Sequence, residues 1–299
     1  MIAAAVIREV SVDRLLGTWT LDPGLLAFLS VAAALYLLGA RRVRGGWPLP
    51  RTSAFLAGLA VLAVALLSGI DAYSDYLLSV HMVQHTLLLM VAPVLLLWAA
   101  PVRLALASGG HGVRRGVGGL LHTRVVRLAS RPAVGVTVLC VVMLGTQFTG
   151  IFELSLRNQT VHAFEHAAYF WSGILCFAPL IAADPLPRPP GALARFSWLM
   201  VVMTVMVVIG AVFTYENTVR YPYYLAPARA LHTSALADQQ LAGVVMWFGG
   251  GLLGAALALG LLIQALLAEE RRQRRRDRYL FRDVEPAVLP TDSSTTATP

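Results

Sequence analysis

Residues 81–100 read HMVQHTLLLMVAPVLLLWAA, twenty positions without one Asp, Glu, Lys or Arg. A helix of that length covers about 30 Å, the hydrocarbon thickness of a bilayer. Six further apolar stretches follow the same rule, at residues 25–40, 54–69, 134–152, 162–183, 195–214 and 239–267. The chain is 57% hydrophobic and 13% charged, with a mean hydropathy of +0.68. This excludes an ordinary water-soluble enzyme. The expected fold is all-α, a polytopic transmembrane bundle of seven spans. It divides into an outer N-terminal segment (1–23), a seven-span membrane domain (24–268) and a basic, then disordered, cytoplasmic tail (269–299). Pro93 and Pro179 fall inside the third and fifth spans, where each removes a backbone donor and should kink its helix.

The orientation follows from the arginines, which supply all 24 basic residues counted as Lys or Arg. Arg41, Arg42, Arg44 and Arg51, six arginines from Arg103 to Arg131, Arg188 and Arg195, and seven from Arg271 to Arg282 fall on one side. That is nineteen of the total. The positive-inside rule puts that side in the cytoplasm, with the N-terminus outside and the C-terminus inside. The net charge of +8 thus serves topology and lipid anchoring, and nucleic acid is not an expected partner. Residues 1–20 lack the basic lead of a cleavable signal and read as a retained tail or a short amphipathic outer helix.

With that topology, His81 and His85 open the third span and His162 and His166 open the fifth. A four-residue separation puts two imidazoles on one helical face, about 6 Å apart along the axis. Both pairs then sit at similar depth near the outer surface. Asp71, Asp75, Glu153, Glu165, Asp238, Gln239 and Gln240 gather in the same layer. Imidazoles at a bilayer boundary are costly unless they find partners, although hydrogen bonding between helices is a plain structural use for them. The functional reading is a transition-metal site made by His81, His85, His162 and His166 with Asp238 or an acidic neighbour. Copper, which imidazole suits, fits best among the options, while zinc and haem stay open. Ligation needs neutral imidazole, so binding should weaken below about pH 6.5.

Met82 and Met246 offer soft thioethers to reduced copper, and Cys140 and Cys176, in apolar segments, could make a second soft-metal site that Met143, Met203 and Met206 would extend into an internal path for copper. Packing is the ordinary use of such side chains and is the expectation here. Gly250 and Gly254 have the small-xxx-small spacing of a close helix contact. No phosphate loop, dinucleotide loop, HExxH, serine elbow or CxxC is present, so catalysis is not expected.

The runs His81-Met82-Val83-Gln84-His85, His162-Ala163-Phe164-Glu165-His166 and Ala237-Asp238-Gln239-Gln240-Leu241-Ala242-Gly243 with Met246-Trp247 resemble the motifs of the membrane-embedded CtaG-type family of cytochrome c oxidase assembly factors. The resemblance extends over about residues 24–267. It implies a multi-pass protein of the bacterial cytoplasmic membrane that binds copper or helps deliver it at the outer face. The partner would be a cytochrome c oxidase subunit or a copper-delivery protein. Carried over residue by residue, it points to His81, His85, His162, His166 and Asp238. A haem-bearing electron-transfer protein and a copper transporter are the competing readings.

Overall fold

The computed structural model describes residues 15–282, apart from residues 16, 188 and 189. The expected outer helix or tail of residues 1–14 and the disordered stretch 284–299 lie outside them. All the regular elements described are helical. The main ones are α1 (Pro23–Arg42), α2 (Leu49–Leu67), α3 (Leu78–Thr86), α4 (Ala92–Trp98), α5 (Pro132–Phe148), α6 (Ile151–Arg157), α7 (Gln159–Ile181), α8 (Ala192–Tyr215) and α9 (Ala235–Arg282). Five segments are long and apolar enough to cross a membrane: α1, α2, Leu78–Ser108, α8 and α9 as far as Asp277. A sixth forms if α5 and α6, bent by 70° at Thr149–Gly150, count as one. The 23-residue α7 stands outside that set. His162, Glu165 and His166 in its first half lower its apolar character, although Phe164 and Trp171 on its outer side are exposed.

Sequence dictates several element boundaries. Asp22 caps α1 through the Leu25 amide at 2.9 Å, Pro23 occupies the first turn, and Arg41 and Arg42 face the helix's negative end. The short second stretch gains a full turn because α2 begins at Leu49, just after Pro48. Pro93 cannot donate to the Leu89 carbonyl, and the third span passes through a π turn, Leu87–Val91, where the Ala92 amide donates to Leu87 instead. This is the irregularity expected at Pro93. At the far end α9 runs for 48 residues, about 72 Å, and projects well past a bilayer. The basic segment from Glu269 to Arg282 is therefore helical, supported by Glu269–Arg272 and Glu270–Arg274 ion pairs one turn apart.

The core lies among α3, α5, α7, α8 and α9, built on Met82, Met143, Tyr169, Phe177, Phe213 and Met246, with α1 and α2 packed alongside. Backbones meet where glycine removes the side chain. A Cβ on Gly243 would stand 2.5 Å from the Gly210 carbonyl oxygen, so this pair locks α8 to α9, and Gly254 of the small-xxx-small pair also sits tightly against α8, at the Met203 side chain. A Cβ at Gly250 would meet Met206 only at ordinary contact distance. Gly173 of α7 seats against the Leu89 carbonyl, the group that Pro93 leaves without its helical donor. Gly173→Ala is therefore expected to lower unfolding stability by about 1–3 kcal/mol through overpacking, read as an earlier thermal midpoint in detergent. An unchanged midpoint would show that the two backbones can separate freely.

Candidate metal centre

One end of the bundle collects the polar side chains. Thr20 donates its amide to the Leu67 carbonyl at 2.7 Å, which pins the start of α1 to the end of α2. The short helix Gly69–Ser74 follows, and α3 starts beside it. Gln84 of α3 donates to Asp71 at 2.7 Å and to the Ala65 carbonyl at 2.9 Å. Burial pushes the Asp71 carboxyl up, against the pull of Gln84 and of nearby His162. Asp75, also facing His162, is raised by burial as well.

Inside this end the four imidazoles touch. The His81 and His162 ring centres are 5.2 Å apart and those of His85 and His166 are 5.7 Å apart. Within each helix the rings stand 4.4 Å (His81 and His85) and 4.2 Å (His162 and His166) from each other. Two layers result, one helical turn apart, and each joins α3 to α7. His81 is fully buried, and His85, Glu165 and His162 are nearly so. The nitrogens of His81, His85 and His166 lie within 4.8 Å of one another, and so do ligand atoms of His81, His162 and Glu165. His81 belongs to both sets.

The hydrogen-bond inventory is incomplete in a specific way. Seven buried side-chain polar atoms among the described residues have no partner, and five of them are His85 Nδ1, His162 Nε2, His166 Nε2 and both carboxylate oxygens of Glu165. Each such atom costs about 1–3 kcal/mol when left unpaired. A cation placed among them would satisfy lone pairs of imidazole and carboxylate together, as ordered water or a proton on Glu165 would in its absence.

One imidazole is held in a defined tautomer. Tyr224 Oη donates to the Ser74 carbonyl at 2.9 Å, so its oxygen accepts from His81 Nδ1 at 3.0 Å. Burial holds the Tyr224 phenol well above its ordinary range, and it keeps the proton it donates. His81 is thus protonated at Nδ1 and presents the lone pair of Nε2 to the cluster. There it accepts from His85 Nε2–H at 2.9 Å, which leaves Nδ1 as the unprotonated nitrogen of His85. Phe152 packs edge-on against His81 at 5.0 Å, and Tyr169 stacks on His85 at 4.2 Å. Tyr169 is itself held by Thr146 and Gln147.

The structure brings together the four histidines that the sequence singles out, and it places Asp238 apart from them. Asp238 sits across the start of α3, where its carboxylate accepts from the Leu78 amide at 2.6 Å and from the Ser79 hydroxyl. It caps the helix that carries His81 and His85. Gln239 accepts from the Arg220 amide and donates to the Thr218 carbonyl, and Gln240 donates to the Glu216 carbonyl. Glu153 pairs with Arg157 on α6. Glu165 is the acidic group that joins the imidazoles, three residues after His162 and one before His166. Tyr224, 143 residues from His81, has no signal in the local sequence.

Residues 34–267 match the family model described as cytochrome c oxidase caa3 assembly factor (Caa3_CtaG). The uncharacterized protein Mb0105 of Mycobacterium bovis is 31% identical over 284 residues, which is 91% of this chain and 43% of that protein. The uncharacterized protein MT0111 of Mycobacterium tuberculosis gives the same figures. ML1998 of Mycobacterium leprae is 29% identical over 274 residues, 88% of this chain and 41% of its own length. The chain spans less than half the length of these curated relatives. No solved structure matches it.

Proposed function

The chain belongs to the Caa3_CtaG family of cytochrome c oxidase caa3 assembly factors, and from that premise we propose that copper is its cargo, held by imidazoles of α3 and α7 at the outer face. It is a bacterial multi-pass membrane protein of the assembly class and not an enzyme. The observation that carries the copper reading is the set of four unpartnered positions on His162, Glu165 and His166, beside the Nε2 atoms of His81 and His85, which hydrogen-bond each other at 2.9 Å. Three imidazole nitrogens around one point leave a coordination position open, which suits an ion that must be handed on. Direct contact between the rings leaves no plane for a macrocycle, which argues against haem.

Seven crossings account best for the helices: the five apolar ones, the bent α5 and α6 pair, and α7, whose exposed Phe164 and Trp171 suit lipid. The histidine end lies opposite the ends of α1 and α9 that carry arginine clusters, so it faces outward, with the N-terminus outside and the C-terminus inside. Residues 24–268 form the membrane domain. Asp238 acts as a positioning residue, holding the first turn of α3 through Leu78 and Ser79. The partner met at this face is an oxidase subunit or a copper-delivery protein, while the arginine clusters meet lipid headgroups.

The reading is tested in cells whose only copy carries His81→Ala and His166→Ala. Their oxidase is expected to reach the membrane depleted of copper, by metal analysis of the isolated complex. Full copper occupancy would reject the reading. Tyr224→Phe probes the tautomer. Losing the anchor of His81 Nδ1 should weaken copper binding about 10–100-fold, as for other groups that orient a metal-bound imidazole. An equal affinity would show that His81 needs no such support.

A further inference from the structure

Further into the bundle than His81, a small cavity is lined by His85 together with the buried Met82, Met90, Met143, Met206 and Met246. The chain has eight methionines, and these five come from five separate segments: α3, the π turn, α5, α8 and α9. All are buried, from 0% exposure at Met82 to 5% at Met246. Methionine ordinarily fills irregular gaps because it is flexible. Here a gap remains among the methionines, with about 10 Å³ for the centre of a water-sized occupant, which is the room one small guest needs.

Water is a poor guest for this space, because it needs two to four polar partners. The polar groups on the wall are already committed. Thr86 donates to the Met82 carbonyl, Tyr169 bonds Thr146 and Gln147, and Gln147 accepts from Tyr221 while donating to Tyr169. Gln147 also reaches the Met82 sulfur at 3.8 Å. His85 Nδ1 is the polar atom on this wall without a partner. What the cavity offers is an imidazole lone pair and several thioethers, with no carboxylate. Neutral soft donors in a buried space favour a soft monovalent cation over a divalent one, whose greater charge would lack compensation.

We propose that this cavity is a second metal site, formed by His85 and the surrounding methionine sulfurs and selective for a soft monovalent cation such as Cu⁺. The naming of Cu⁺ as the natural ion rests on the copper reading above, whereas the selectivity follows from the donors alone. His85 faces the cavity through Nδ1 and the imidazole cluster through Nε2, and because a neutral imidazole has one free lone pair it serves one of the two sites at a time.

The test uses the full-length chain in detergent, in thiol-free buffer, with Ag⁺ as a redox-inert probe of the soft site and Cu²⁺ as a probe of the imidazoles. X-ray absorption of the Ag⁺-loaded native protein is expected to show sulfur neighbours beside nitrogen. The chain carrying Met143→Leu and Met206→Leu, which nearly conserve volume, is expected to lose one Ag⁺ equivalent and keep its Cu²⁺ stoichiometry. A silver environment of nitrogen and oxygen only would overturn the proposal in the native protein, whether or not the variant folds. Undiminished Ag⁺ uptake by the folded variant would overturn it too. Failure of the imidazole reading has a separate signature, Cu²⁺ stoichiometry unchanged by His162→Ala and His166→Ala.

Discussion

His166→Ala is expected to weaken copper binding by more than about 100-fold while leaving the helical content intact. The magnitude follows from comparison, because groups that only orient a metal-bound imidazole already carry about 10–100-fold, and His166 would be a direct ligand. Its Nε2 is buried without a protein partner, and its ring meets His85 at 5.7 Å and His162 at 4.2 Å. Truncation removes an unpaired group and breaks no hydrogen bond of that atom, so folding should survive. Asp238→Ala makes the contrast. It removes the cap on α3, frees the Leu78 amide and Ser79, and should cost about 1 kcal/mol of stability together with a smaller loss of affinity. Metal titration and circular dichroism on both variants read the difference. Equal affinities for native and His166→Ala protein would remove His166 from the ligand set.

The second large effect has the opposite sign. Glu165 is 4% exposed, and the neighbouring Ser155 hydroxyl donates to the Phe152 carbonyl and not to its carboxylate, whose oxygens are left without a partner. In the metal-free protein this is a standing cost, and Glu165→Leu should raise apo stability by about 1–3 kcal/mol. The same substitution should weaken metal binding, since it takes away the carboxylate that, among the described residues, lies within ligand distance of both His81 and His162. Stability gained and affinity lost together are what a functional site gives when it is replaced by packing. Thermal melts of metal-free native and variant protein, each repeated with copper, would show the two curves cross. If Glu165→Leu instead destabilises the apo protein, the carboxyl has a structural partner and the site argument loses one of its donors.

Much of this was legible in the sequence because the relevant physics is local. The apolar runs follow from bilayer thickness, and the i, i+4 histidine pairs fix which helix faces meet. Pro93 announces a break because it lacks an amide proton. What completes these features was not legible. Gly173 matters only because α7 crosses the π turn at the Leu89 carbonyl, and no property of residue 173 alone says so. Among the acidic groups at the histidine end, sequence gives no reason to prefer Glu165 over Asp238. The structure separates them by what each touches, a backbone amide for Asp238 and imidazoles for Glu165. Tyr224 sets the tautomer of His81 across 143 residues. By contrast, the helical continuation of α9 to Arg282 had a readable signal, Glu269 and Glu270 spaced three and four residues before Arg272 and Arg274.

If α3 and α7 share one coordinating point, anomalous diffraction at the copper edge from copper-loaded crystals of the full chain will locate the ion there. A peak is expected at bonding distance from nitrogens of His81, His85 and His166. A copper peak bound elsewhere, with the imidazole cluster bare at saturating copper, would contradict it.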